Sequence, residues 1–464
     1  MIAVLLLVAT GGLMQAAGSF ITVPTSATVQ LAFGYLLLTA FFTARLVTKL
    51  GLPKLTGYII AGVISGPFVL GLVSTDMTSS LSIVNGTASA IIALEAGAEL
   101  QLANVRRMLP MLRSLTVFAV IGAMFVLGAL IYLMQPWLPF LWRFSGYELA
   151  AVSMLLGVAL SAQSPAVVMA LLAEMRAAGP VSELMLGAVV MTDLVVIVCF
   201  SLASAAVGAV VGGSIDVVTA VRDVGWELFG SIALGLALGM LLALFLRTVK
   251  EGASLFALTI CVVIAEAGPR VHLDPLIVML TAGLWVRNAP RTDARALLDG
   301  FESAQLPVFL VFFALAGSKL ELGTIYALAL PIGVISIARV AAFFVGAKIA
   351  TAITDAPKPV RRYAWFGLVP QAGLALAIAL VLDKTFPSFG GPAAVLMIGV
   401  VGLNQLIAPI ILRIVLLRSG EAGQKASVDF AANHHGGPPP GPPGDGPGGS
   451  GAHGRVLEET PSVP

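Results

Sequence analysis

Charged residues are scarce in this 464-residue chain: Asp, Glu, Lys and Arg make up only 11% of it, against about 25% in soluble proteins. Hydrophobic residues make up 58%, and the mean hydropathy is +0.99. Apolar stretches recur along the chain at the length of about 20 residues that a helix needs to cross a bilayer. This composition excludes a soluble enzyme, a nucleic-acid-binding protein and a disordered scaffold. It predicts an all-α polytopic membrane protein.

Cysteine and histidine are also scarce. Cys199 and Cys261 lie inside apolar stretches, which favours apolar packing over a disulfide framework. Of the four histidines, all but His272 lie close to the C-terminus. The sequence also lacks an HExxH pair, a paired catalytic aspartate motif and an intramembrane Ser–His pair. We therefore expect no enzymatic activity, no resident metal and no cofactor.

Fourteen apolar segments can be marked, with boundaries good to about 2–4 residues. They cover residues 1–18, 29–48, 55–72, 82–100, 111–134, 147–173, 182–208, 225–247, 254–268, 273–288, 301–317, 324–350, 362–384 and 392–417. The first ends in small residues, as signal peptides do, but lacks their basic start. Residues 1–28 are thus either an extra helix or a signal-like segment, and the prediction is 13–14 transmembrane helices, with a membrane domain over 29–418.

The two sides of this domain differ in charge. Most of the 26 lysines and arginines fall in loops on one side, and the other side holds only Arg143, Arg222, Arg270, Lys319 and Lys384. By the positive-inside rule, the C-terminus then lies in the cytoplasm, with the protein in the cell (inner) membrane. Residues 419–464 are predicted to be a disordered tail, because 14 of the 16 residues over 436–451 are Gly or Pro.

Two charged residues lie near the middle of long apolar segments. Burying a charge in the membrane is costly, so such residues usually have a functional or structural role. Asp193 either pairs with Arg339 to hold helices together or binds a proton and a cation in turn. Burial disfavours the charged carboxylate and a bound cation favours it, so the two ligands compete for the same oxygens. We favour the second interpretation. Arg339 cannot give up its proton, and a structural electrostatic role is predicted for it.

Two apolar segments are interrupted by proline, which removes a backbone donor and clashes with the preceding turn. The first break spans Ser161 to Pro165 and includes Gln163 and Ser164. The second contains Pro370 and Gln371. The breaks lie seven segments apart, so the two segments run in opposite directions through the membrane. Paired broken helices in matching halves predict two inverted repeats with crossed, discontinuous helices and an ion site at the midplane.

Several motifs in shared order resemble the monovalent cation:proton antiporter family, most closely its Kef-type potassium/proton branch. They are LGLP at 50–53, GYIIAG at 57–62, GP at 66–67, LEAGAEL at 94–100, SAQSPAVV at 161–168, TDLVVI at 192–197, AEAG at 265–268 and AGL at 282–284. Arg339 also falls where the family has a basic residue. The resemblance covers roughly residues 30–417, and the nucleotide-binding regulatory domain of the Kef branch is not expected here.

The resemblance implies a homodimer that exchanges K⁺ or Na⁺ for H⁺ by alternating access. Its partners would be these transported ions and the lipid bilayer. Asp193 would carry the proton and the cation, with Thr192, Gln163 and Ser164 as candidate ligands. Arg339 and Glu266 would tune the electric field. Thr192 stands where electrogenic members have a first aspartate, so one carboxylate remains, and electroneutral exchange is implied. Gln163 replaces a customary threonine.

The identity of the arginine's partner stays open. Ala188 stands where the mammalian-type branch has a glutamate that pairs with that arginine. Two other functions also stay open at this point. A cation channel on the same scaffold would not need Asp193 to titrate, and a sodium-coupled organic-anion symporter would need more polar groups in the core.

Overall fold

The structure, a computed structural model, describes residues 7–15, 25–211, 222, 225–249, 252–290, 292, 307–320, 323, 326 and 328–424. Every regular element within these residues is helical. Eight helical stretches are long and apolar enough to cross a membrane, and three shorter helices are also apolar. The prediction of an all-α polytopic membrane protein is confirmed. The predictions for the N-terminal segment and the tail lie largely outside the described residues.

The helices are numbered in chain order: α1 (7–15), α2 (Thr25–Lys49), α3 (Lys54–Ser65), α4 (Thr75–Ser80), α5 (Ser82–Glu99), α6 (Leu102–Ser114), α7 (Gly122–Leu133), α8 (Gly146–Leu160), α9 (Pro165–Glu174), α10 (Pro180–Val211), α11 (Ser231–Thr248), α12 (Ala253–Ala267), α13 (Pro275–Asn288), α14 (Pro307–Ser318), α15 (Ala329–Ile353), α16 (Lys358–Tyr363), α17 (Gly373–Thr385) and α18 (Gly390–Ser419). A π-helical segment, Leu115–Ile121, joins α6 to α7, and another, Trp226–Gly230, precedes α11. A 3₁₀ helix, Ala364–Leu368, follows α16.

Both predicted helix breaks are present. Helix α8 ends at Leu160, and α9 begins at Pro165, whose missing N–H costs nothing at the first position of a helix. The hydroxyl of Ser164 caps α9 by accepting the N–H of Val167 at 3.4 Å. In the second break, the 3₁₀ helix ends at Leu368 and α17 begins at Gly373. Each crossing segment therefore consists of two parts separated by a short stretch outside regular helix.

The buried apolar side chains form two clusters. The smaller cluster joins α5, α11, α12 and α13 through residues such as Leu94, Leu242, Cys261 and Val278. The larger one contains most of the other helices, including both broken segments and α10. Helix α5 contributes to both, because Ile91 and Leu94 face the smaller cluster while Ile92 and Ala96 face the larger one. It therefore lies at the boundary between the two packed bodies.

Helices α5 and α13 run side by side at very close range. A Cβ atom added at Gly97 would overlap the carbonyl of Leu280, and one added at Gly283 would overlap the carbonyl of Leu94. Small residues allow this approach in membrane helices. Asn288 joins the ends of the pair, since its Nδ2 donates to the carbonyl of Leu100 (3.0 Å). The two helices are parallel, so the starts of α5 and α13 lie at the same end of the bundle.

Glu421, beyond the last helix, is packed against the start of α10. Its carboxylate accepts the N–H groups of Val181 and Ser182 at 2.7 Å each and the hydroxyl of Ser182 at 2.6 Å. The N–H of Ala178 donates to the backbone carbonyl of Glu421 at 3.1 Å. A carboxylate at this position satisfies free N–H groups and interacts favourably with the helix dipole. The packed chain therefore continues past Ser419, where the tail was predicted to begin, at least to Gln424.

The Glu421 contact predicts a boundary for tolerated truncation. A chain ending after Gln424 should keep its melting temperature in detergent. A chain ending after Ser419 should be destabilised by about 2 kcal/mol, because it loses a charged cap on α10. Full-length protein with Glu421→Ala should have the same melting temperature as the chain that ends after Ser419. Equal melting temperatures for the two truncations would contradict this role of Glu421.

Candidate functional site

A cavity of about 60 Å³ lies where the two apolar clusters meet. Helices α9, α10 and α17 line it on one side, and α5 and α13 line it on the other. At roughly 10–15 Å³ for each water position, such a volume holds an ion with several waters. The charged residues among its described lining are Asp193 and Asp274, and no basic residue joins them. The cavity is therefore a small, electronegative compartment at the boundary of two packed bodies.

Asp193 lies near the middle of α10, the 32-residue helix that runs from Pro180 to Val211. Only 9% of its surface is exposed, and it lines the cavity. Its Oδ1 atom is buried and accepts no hydrogen bond within the described chain. A buried carboxylate oxygen without a partner is costly, so a ligand in the cavity would stabilise it. The described part of the chain pairs Asp193 with no arginine or lysine, and Arg339 makes other contacts.

The three candidate ligand residues occupy two different places. Ser164 lines the cavity beside Asp193. Thr192 and Gln163 do not line it but face each other, with the hydroxyl of Thr192 lying 3.0 Å from Oε1 of Gln163. The amide of Gln163 donates to the carbonyl of Ser161 at 2.7 Å. Gln163 thus satisfies the interrupted backbone of the first break and links it to α10.

Arg339, on α15, is completely buried and bonds to both helix breaks. Its guanidinium donates to the carbonyls of Leu160 (2.9 Å), Ala162 (2.8 Å), Leu368 (3.2 Å) and Val369 (2.6 Å). The first two carbonyls lie at and just beyond the end of α8, and the last two lie at and just beyond the end of the 3₁₀ helix. The guanidinium also lies over the ring of Phe343, 4.6 Å from its centre. The partner that could not be named from the sequence is therefore the backbone at the carboxyl ends of the first halves of both broken segments.

The two breaks are also bonded to each other. Nε2 of Gln371 donates to the carbonyl of Leu160 at 3.0 Å, so this carbonyl accepts from both Arg339 and Gln371. Nδ2 of Asn404, on α18, donates to Oε1 of Gln371 at 2.7 Å. Gln371, which follows Pro370, is fully buried. These bonds hold the interrupted segments against each other, which is the crossed arrangement that the sequence predicted.

The second halves of the broken segments begin at the cavity. Ser164 and Pro165 at the start of α9 line it, as do Gly373 and Leu374 at the start of α17. A helix start carries partial positive charge, and a helix end carries partial negative charge. The positive ends thus meet the cavity that holds Asp193, whereas Arg339 covers the negative ends. Asp193 therefore lies next to helix starts and Arg339 next to helix ends, so each side chain faces partial charges of the opposite sign.

Sequence reasoning missed Asp274. This residue precedes α13, and its Oδ1 accepts the N–H groups of Leu276 (2.7 Å) and Ile277 (3.3 Å). Its position at the start of an apolar segment indicates a helix cap and gives no sign of a cavity. Glu266, predicted as electrostatic support, lies outside the cavity lining, is about half exposed and pairs with Arg270.

Comparison with known proteins identifies the class. The model of the family described as "Sodium/hydrogen exchanger, transmembrane" matches residues 36–418. The sodium/proton antiporter MjNhaP1 from Methanocaldococcus jannaschii has the same fold, with a TM-score of 0.64 and 14% sequence identity, over 85% of this chain and 99% of that one. No curated protein matches the chain in sequence.

The fold, the crossed breaks and the family match together define a membrane-embedded secondary transporter and not an enzyme. This chain belongs to the sodium/hydrogen exchanger family. The resemblance to monovalent cation:proton antiporters is thereby confirmed at the level of the family.

The contacts of Arg339 predict that lysine cannot replace it. Lysine has three donors on one nitrogen and lacks the planar fork that reaches four carbonyls. Arg339→Lys should therefore lower the stability by about 1–3 kcal/mol for each carbonyl left without a donor. The control is Arg143→Lys, at an exposed arginine whose Nη1 reaches the carbonyl of Ser388 at 3.4 Å. Equal melting temperatures for the two variants would show that the buried bonds contribute little.

Proposed function

We propose that this protein exchanges a monovalent cation, K⁺ or Na⁺, for H⁺ by alternating access around Asp193. The observation that carries the proposal is the buried, unpartnered Oδ1 of Asp193 in a cavity between two packed bodies. The family match and the fold shared with a sodium/proton antiporter support it.

In this mechanism a proton or a cation occupies the Asp193 carboxylate, and the two are never bound together. Either ligand lowers the cost of burying the carboxylate, whereas the empty, charged form is unfavourable away from water. The loaded site can therefore pass between the two faces of the membrane, and the empty site cannot. This difference couples the outward flow of one ion to the inward flow of the other. Ser164 is the candidate cation ligand that shares the cavity.

Thr192 and Gln163 act in this scheme through position. Their contact ties the first break to the turn of α10 that carries Asp193. A change at Gln163 would alter the distance between the start of α9 and the carboxylate, and with it the fit for cations of different size. Arg339 supports the site by donating to the carbonyls that end the first halves of the broken segments.

The proposal extends to the assembly and its orientation. The basic residues concentrate on the side of the membrane that the C-terminus shares, which supports a cytoplasmic C-terminus in the cell (inner) membrane. The family resemblance supports a homodimer. Native mass spectrometry of the detergent-solubilised protein and protease accessibility of a C-terminal tag test these two points.

Asp193→Asn should abolish exchange while the protein still folds. The substitution keeps the shape of the side chain and removes the charge that a proton and a cation share. Proteoliposomes with a pH-sensitive dye inside, challenged in turn with Na⁺, K⁺ and Li⁺, measure the activity. Asp383→Asn, at an exposed carboxylate on α17, is the matched control and should keep the wild-type rate. Cation-driven proton flux in Asp193→Asn at the wild-type rate would refute the role of Asp193, and flux that follows the voltage alone would indicate a channel.

Exchange should be electroneutral, because a single carboxylate takes up one proton or one cation. The assay clamps the membrane potential of Na⁺-loaded proteoliposomes at several values with gradients of a permeant anion, because a K⁺ gradient could itself drive exchange. The rate and the end point of Na⁺/H⁺ exchange should not change with the potential. A potential-dependent end point would mean that a second carboxylate exchanges protons, and Asp274 is the one that shares the cavity with Asp193.

A further inference from the structure

The cavity has a carboxylate on each of two facing walls. Asp193 belongs to α10, in the larger apolar cluster, whereas Asp274 precedes α13, which packs into the smaller one. The two carboxylates interact electrostatically. No basic side chain joins them in the described lining, so their mutual repulsion is opposed there by the partial positive charges of helix starts and by no full positive charge. A cation between the two walls would offset it.

Only one of the two oxygens of the Asp274 carboxylate accepts hydrogen bonds within the described chain. Its Oδ1 caps α13, and its backbone N–H donates to the hydroxyl of Ser231 at 2.9 Å. Within the described chain no hydrogen bond uses its Oδ2. The cap keeps the carboxylate in place, and the second oxygen stays available to a ligand. Asp193, at 9% exposure, likewise has an Oδ1 without a partner.

The position of Asp274 along the membrane normal differs from that of Asp193. Asp193 lies near the middle of its helix, and Asp274 lies at the start of α13. The lining residues of α13, Leu276, Ile277 and Leu280, belong to the first half of that helix, whereas those of α5 run from its middle into its second half. Asp274 is therefore the shallower of the two carboxylates, at the end opposite to Asn288. The basic-residue asymmetry makes this the non-cytoplasmic end.

We propose that Asp274 is a second cation-binding carboxylate, which holds a partly hydrated monovalent cation at the entrance of the cavity and delivers it to Asp193. This inference rests on the proposed exchange function. The cavity has room for the cation and a few waters, so neither carboxylate needs to strip it completely. A compartment lined by one sign of charge also raises the local concentration of counter-ions. Asp274 then determines the apparent affinity for the cation, and Asp193 alone exchanges it for a proton.

The decisive variant is Asp274→Asn, because Asn caps a helix as well as Asp does and removes only the charge. Asp274→Ser also keeps a cap and serves as a second version of the same test. The matched control is Glu227→Gln, which removes a carboxylate at the same end of the bundle. Glu227 interacts electrostatically with Asp274 but does not line the cavity. The control therefore measures the general effect of surface charge on cation concentration.

Exchange kinetics in proteoliposomes give the first readout. Both Asp274 variants should raise the KM for the cation about tenfold, with kcat within about twofold of the wild-type value. Glu227→Gln should leave both constants unchanged. A wild-type KM in Asp274→Asn would overturn the inference, as would an equal rise in KM for Glu227→Gln. Because wild-type exchange is measured in the same experiment, its absence would refute the proposed function separately.

Cation binding without turnover gives the second readout. The melting temperature is measured in detergent against Na⁺ or K⁺ at constant ionic strength, with N-methyl-D-glucamine as the replacement cation. Asp193→Asn should keep a weak cation-dependent stabilisation, because Asp274 still binds, and the double variant Asp193→Asn/Asp274→Asn should lose it. The same residual stabilisation in single and double variants would exclude binding at Asp274. A melting temperature of Asp274→Asn equal to that of the wild type without cations confirms that its fold is intact.

Discussion

The structure depends on one buried guanidinium. Interrupting a helix inside a membrane leaves carbonyl groups without donors, and lipid supplies none. Arg339 donates to four such carbonyls, two from each break. The partial negative charge at the two helix ends offsets the cost of burying a cation. Without this contact both breaks would be unfavourable at once, because the same side chain satisfies them.

The position of the cavity follows from this contact. Once the carboxyl ends of the first halves meet at Arg339, the second halves have to begin close by. Their first residues, Pro165 and Gly373, line the cavity with Asp193. A carboxylate there faces the partial positive charge of two helix starts. The protein thus separates a permanent positive charge, which holds the backbone, from Asp193, whose Oδ1 has no partner within the described chain. A direct ion pair between Asp193 and Arg339 would have occupied that carboxylate.

The sequence predicted those features that are rare inside a membrane. A proline, an aspartate or an arginine in the middle of an apolar segment is costly, so Pro165, Pro370, Asp193 and Arg339 could be identified without a structure. The partners of Arg339 could not be identified, because backbone carbonyls have no sequence signature. Gln163, predicted as a candidate ligand, is a related case: an amide can bind an ion or satisfy a broken helix, and only the contacts distinguish the two.

Residues at the ends of helices were harder to interpret. A carboxylate that precedes a helix has an ordinary explanation as a cap, and Asp274 does cap α13. Its place in the cavity depends on how α13 packs against α5 and faces α10 across the cavity, which periodicity and composition do not specify. Glu421 follows the last apolar segment and precedes a Gly/Pro-rich stretch, so its contact with α10 was equally hidden. Both residues acquire their surroundings from helices distant in the chain.

In the proposed mechanism, the boundary between the two apolar clusters lets one site serve two faces of the membrane. Side chains inside a well-packed cluster move together, because any displacement opens voids and loses contacts. Relative motion is therefore least costly where two clusters meet, and the cavity lies there. Asp193 and the helix starts around it belong to one body, whereas α13 and Asp274 belong to the other. A shift of one body against the other thus changes the distance between the two carboxylates while the bonds between Arg339 and the breaks remain intact.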